Sequence, residues 1–158
     1  MLSDRMKWVL YLSLFVCLST NGQGLRIEYS PDSTYVWVTS PDETFSIQGK
    51  SHVQSRGFQR EYWKDTIMSL HESYFTREQL CLLRTHRSNC VVKLLLTHTG
   101  AIEFVIFWVK RDLFQAIPKE VFQNLYNAYR WVKLDVTKGD FYPALDENHY
   151  AYLTFRLK

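Results

Sequence analysis

No catalytic signature interrupts this chain. It holds no nucleophile elbow, no phosphate-binding glycine loop, no His-Glu-x-x-His zinc motif and no EF-hand loop. Those motifs place reactive side chains by local sequence, so without them any active site must be assembled by the fold. Charge of neither sign dominates: 19 Lys and Arg against 16 Asp and Glu leave a net +3, too little to argue for nucleic acid or an anionic membrane. None of Asn89, Asn124, Asn127 and Asn148 begins an Asn-x-Ser/Thr acceptor, so N-glycosylation is not expected. No apolar run reaches the roughly twenty residues that span a bilayer, no lipid-anchor tail precedes Lys158, and there is no repeat, low-complexity tract or linker.

Cysteine is scarce as well, with Cys17, Cys81 and Cys90 only. Cys17 lies in the first two dozen residues, which have the three parts of a secretory signal. Arg5 and Lys7 are basic, about eleven apolar residues run from Trp8 to Leu18, and Ser19-Thr-Asn-Gly-Gln-Gly24 is small and polar. Cleavage is expected after Gly22 or Gly24, so 1–24 reads as a signal peptide and 25–158 as a single secreted α+β domain, extracellular and without stable membrane insertion. Loss of Asp4, Arg5 and Lys7 lowers the net charge by one, from +3 to +2. The remaining pair, Cys81 and Cys90, is expected to form a disulfide in an oxidising compartment. Its short loop would be worth about 2–3 kcal/mol in the chain-entropy model, so the hydrophobic core must carry most of the stability.

Aromatic residues are what the chain has in excess, at 16%, and they are spread along it. They bury large areas, and Tyr and Trp also suit interfaces. The apolar pattern sets the elements. Strands are expected at 25–29, 34–39 and 44–48, with a turn at Ser40-Pro41-Asp42-Glu43. Polar 49–57 reads as a loop. Phe58, Tyr62, Trp63, Ile67, Leu70 and Tyr74 keep helical spacing, which predicts a helix over 59–73. Thr76 and Gln79 have capping-box spacing, so 79–84 is a second short helix or else a strand. The apolar runs 91–97 and 101–109, joined by His98-Thr99-Gly100, read as a central hairpin. After a connector at 112–117, Pro118 heads a helix over 118–130 whose face of Val121, Phe122, Leu125 and Tyr129 should lie on that hairpin, with Gln123 and Asn127 on the wet side. Strands are expected at 131–137 and 150–157, separated by a turn at 138–140. The sum is α+β: a mainly antiparallel sheet of hairpins with two or three helices packed on one face.

The five histidines, at 52, 71, 86, 98 and 149, share no helical spacing, so no metal site is expected from local sequence. His71 with Glu72 reads as part of a solvated helix face, and the basic stretch Arg84 to Ser88 as a solvated loop. Glu103 interrupts an apolar strand and is expected to pair with Lys93 across the hairpin. Asp146-Glu147-Asn148-His149 reads as a solvated loop before the last strand.

The strand Phe104-Val-Ile-Phe-Trp-Val-Lys-Arg111, followed by Ile117-Pro-Lys-Glu-Val-Phe-Gln-Asn-Leu-Tyr126, resembles the strand and proline-headed helix of BRICHOS-like domains, including the secreted out-at-first proteins. The resemblance covers about a third of the chain and implies chaperoning of aggregation-prone partners. The chain departs from that family in having no cysteine at 104–109 and in the closeness of Cys81 to Cys90. With no cofactor, catalytic or metal residues to name, the expected function is that of a secreted, non-enzymatic interaction protein with a protein partner and no nucleic acid. The alternatives are a BRICHOS-like chaperone and a small secreted hydrolase.

Overall fold

The structure, a computed structural model, describes residues 24–40, 48–85 and 90–157. The expected signal peptide apart from Gly24, the turn after Ser40, all but the last residue of the strand at 44–48 and the basic stretch after Thr85 lie outside the described residues.

β-branched and aromatic alternation produces the strands. β1 (Arg26–Tyr29) and β2 (Tyr35–Thr39) form an antiparallel hairpin, with Val36 and Val38 fully buried. The two most apolar runs form β4 (Cys90–Thr97) and β5 (Ile102–Lys110), the expected central hairpin. Its turn depends on Gly100, at φ +83°, where a Cβ would stand 1.9 Å from the Leu134 carbonyl oxygen. The closing strand is β7 (His149–Arg156). With β3 (Ser51–Phe58) and β6 (Gly139–Tyr142) these make one seven-stranded sheet in the order β1-β2-β5-β4-β7-β3-β6. Every neighbouring pair is antiparallel except β7 with β3.

Helix α1 spans 60–74 as Arg60–Trp63, a π-helical turn Lys64–Met68 and Ser69–Tyr74. Helix α2 (Arg77–Thr85) begins at a reciprocal capping box. The Thr76 N–H donates to Gln79 Oε1 at 2.9 Å, and the Gln79 N–H donates to Thr76 Oγ1 at 3.2 Å. Helix α3 (Arg111–Ala116) occupies the expected connector, and α4 (Lys119–Trp131) follows Pro118. Phe122, Leu125 and Tyr129 of α4 are fully buried over β5, and the Phe122 ring lies 5.5 Å from those of Phe107 and Phe114. All four helices of the described residues contribute to one core on the same side of the sheet, the expected α+β arrangement. No helix of the described residues is long and apolar enough to cross a membrane.

Three local expectations are corrected. Residues 51–57, expected within a loop, form β3 together with Phe58, because backbone pairing to β7 and β6 holds a segment of which only Val53 is fully buried. Residues 131–137 are not a strand: α4 runs on to Trp131, Lys133 makes an isolated bridge to Ala101, and Val136–Lys138 is a 3-10 turn. Gln123 is not idle on a wet face, since its Oε1 accepts the Leu25 N–H at 3.1 Å and ties the start of the sheet to α4.

Candidate functional site

Side chains alternate across each strand, so the register fixes what the sheet presents on the face that carries none of the described helices. Trp37 stands opposite Trp108, and Trp108 opposite Val91; Ile106 faces Lys93, and Phe104 faces Leu95. Leu95 in turn faces Tyr152, and Tyr150 faces His52. None of these residues belongs to the core beneath the helices. They pack on one another instead. The Tyr35 ring meets Trp108 edge-on at 5.2 Å, Tyr150 meets Tyr152 at 5.6 Å, and the Lys93 ammonium sits 3.9 Å above the Tyr152 ring. Leu95 is fully buried among them, whereas Trp108 keeps 46% of its surface in solvent. The result is an aromatic outer face, half-exposed and crossed by a cation-π contact.

The expected Glu103–Lys93 pair does not form. Lys93 lies opposite Ile106 and Thr154, while Glu103 falls where the β4–β5 register slips between Leu95 and Leu96. That bulge leaves Glu103 with no residue directly opposite on β4, a displacement that alternation alone does not reveal.

A second feature lies at one end of the sheet. Strands β3 and β7 pair only over Ser51–Val53 and His149–Ala151. Beyond that, a bulge between Ser55 and Gly57, with Gly57 at φ +102°, turns β3 away to follow β6. The strands fork, and α1 fills the inner side of the fork with aromatic rings. Trp63 meets Phe155 edge-on at 4.9 Å and stacks with Phe58 at 5.9 Å. Two adjoining hollows remain, of about 470 and 540 Å³, sharing Arg60, Trp63 and Phe155. Arg56, Arg60, Lys64 and Arg156 line them, and among the described residues no acidic side chain does. The π-helical turn supplies Lys64 and Met68 to this lining; such turns are rare and concentrate at functional sites.

The histidines do not converge. His71, expected on a solvated face, is fully buried, with Nε2 2.5 Å from the Tyr129 hydroxyl and its ring stacked on Phe155 at 5.9 Å. Burial, reinforced by nearby Cys90, holds the Tyr129 phenol well above its ordinary pKa, so it stays protonated. His149, which opens β7, places its Nδ1 2.6 Å from Oδ1 of Asp146 in the loop before the strand. The Asn148 backbone N–H, aided by His149, lowers the Asp146 carboxyl below its ordinary pKa. Among the described residues, no three His, Cys, Asp or Glu side chains gather as a metal site.

The expected Cys81–Cys90 bridge is not formed: both thiols are free. Cys81 is exposed on α2, whereas Cys90 opens β4 inside the core, where burial raises its thiol pKa. Joining them would draw Cys90 out of the core or turn Cys81 inward, and the short spacing between them in sequence does not carry that information.

No known family profile and no curated protein matches this chain. Among solved structures, its fold is similar to that of a DUF5043 family protein from Bacteroides uniformis, with a TM-score of 0.64, 13% sequence identity and 87% of each chain covered. At that identity the likeness concerns the fold alone.

Proposed function

We propose that this protein is a secreted, non-enzymatic interaction module whose aromatic sheet face receives a protein partner. The supporting observation is the outer face itself: Trp37, Trp108, Tyr150 and Tyr152 share it and are left in part to solvent. Large rings with few rotatable bonds lose little entropy on docking, and tyrosine and tryptophan dominate the energetics of protein interfaces. Secretion is supported by the basic, apolar and small-polar order of the first 24 residues.

The test is affinity capture from extracellular fluid with the mature chain and with a Trp108→Ser, Tyr152→Ser variant of matched melting temperature. A partner retained by the first and lost by the second is the expected result. Equal capture by both, or turnover of a hydrolase substrate panel, defeats the reading. The BRICHOS-like alternative draws on the same face. It expects slower aggregation of a β-prone client by the wild-type chain and not by the variant.

A further inference from the structure

We propose that the fork between β3 and β7 is a binding slot for an extended acidic peptide segment, which adds as a short strand to the free edge of β7. This inference is independent of what the outer face binds.

Two hydrogen bonds fix the direction in which the β7 backbone groups point. The Leu157 N–H donates to the Cys90 carbonyl at 3.0 Å, so odd-numbered residues of β7 turn their polar groups toward β4. The Asn148 carbonyl accepts the Ser51 N–H at 2.9 Å, so even-numbered residues turn theirs toward β3. In an extended strand these directions alternate strictly. Thr154 and Arg156 therefore aim their N–H and C=O groups into the fork, beyond the last β3 partner pair, Val53 with Ala151. Across the gap, β3 cannot close on them. Its bulge leads it away, and the Gly57 N–H is already satisfied by Ser55 Oγ at 3.1 Å. An open edge offering alternating donors and acceptors matches a peptide backbone, the chemistry of strand addition.

The side chains set the sign. Arg56, Arg60, Lys64 and Arg156 line the fork and its continuation, without a carboxylate among the described lining residues. Asp140 stands 4.0 Å from Arg56, and both side chains are about two-thirds exposed, so the pair is loose and yields to a better acceptor. Trp63, Phe58 and Phe155 give the slot an apolar wall. Guanidinium groups beside aromatic rings favour a carboxylate-bearing chain over a purely apolar one.

The experiment uses the mature chain and a capped peptide of roughly eight residues alternating glutamate and threonine, a length that covers the free edge. Calorimetry measures affinity, and amide hydrogen exchange reads Thr154 and Arg156. Binding with protection of these amides is expected. Affinity should fall roughly tenfold or more in an Arg56→Glu, Arg60→Glu variant of unchanged melting temperature, and also when lysine replaces glutamate in the peptide. A peptide of equal charge with proline at alternate positions, which cannot donate to the edge, should not bind. Equal binding of the proline peptide would reduce the effect to charge attraction and overturn strand addition. Binding of dodecanoate, a small amphiphilic anion, with no binding of the glutamate peptide would make the fork a small-molecule pocket and overturn the proposal as well.

Discussion

At the scale of single residues, aromatic side chains divide sharply between core and surface. Phe122 is fully enclosed, whereas Trp131, nine positions later on the same helix, is 88% exposed. Phe122→Ala should cost about 3–5 kcal/mol, since it removes a ring from a closed space that relaxes only in part. Trp131→Ala should stay within about 0.5 kcal/mol, as surface changes do. Denaturant melts of both variants check the pair, and equal losses would contradict this packing. The thiols divide in the same way. In the folded mature chain Cys81 should alkylate readily and Cys90 only after unfolding, because burial holds the Cys90 proton. Peptide mapping without reductant decides this, and a linked pair of cysteine peptides would restore the bridge that the sequence spacing suggests.

At the scale of elements, the glycine turn between β4 and β5 offers the cleanest test. The Leu134 N–H donates to the Gly100 carbonyl at 2.8 Å, fastening the segment after α4 to the hairpin. Gly100→Ala meets both a positive φ and the Leu134 carbonyl, whereas Gly49, at φ +78°, has open space where a Cβ would go. Gly100→Ala should therefore destabilise well beyond the roughly 1 kcal/mol expected from dihedral strain alone at Gly49→Ala. Thermal melts of the two variants separate contact from strain. Elements with strong periodicity were legible in the sequence: the central hairpin, α4 and its buried face, and the capping box of α2. β3 was not, because Val53 is its one fully buried residue and its pairing is with β7 and β6, distant in sequence. The burial of His71 is illegible for a related reason. Its neighbours Ser69, Glu72 and Ser73 are exposed, and the partner that explains its burial, Tyr129, lies 58 positions away. The aromatic richness of the outer face was visible as composition. The fork was not, since it arises where two strands part after a bulge.

At the scale of the whole molecule, the chain sets one helix-covered face against one aromatic face, and the sheet is assembled out of sequence order. β7 lies between β4 and β3 and is the link between the group β1-β2-β5-β4 and the pair β3-β6. This has a consequence for the timing of biosynthesis. Before residues 149–156 leave the ribosome, the described strands can form only two separate fragments, one of four strands and one of two. The two-stranded fragment is too small to be stable alone. The sheet therefore becomes continuous only when β7 joins the two fragments. Until β7 arrives, the bare edge of β4 and the apolar faces of both fragments are open to wrong pairing.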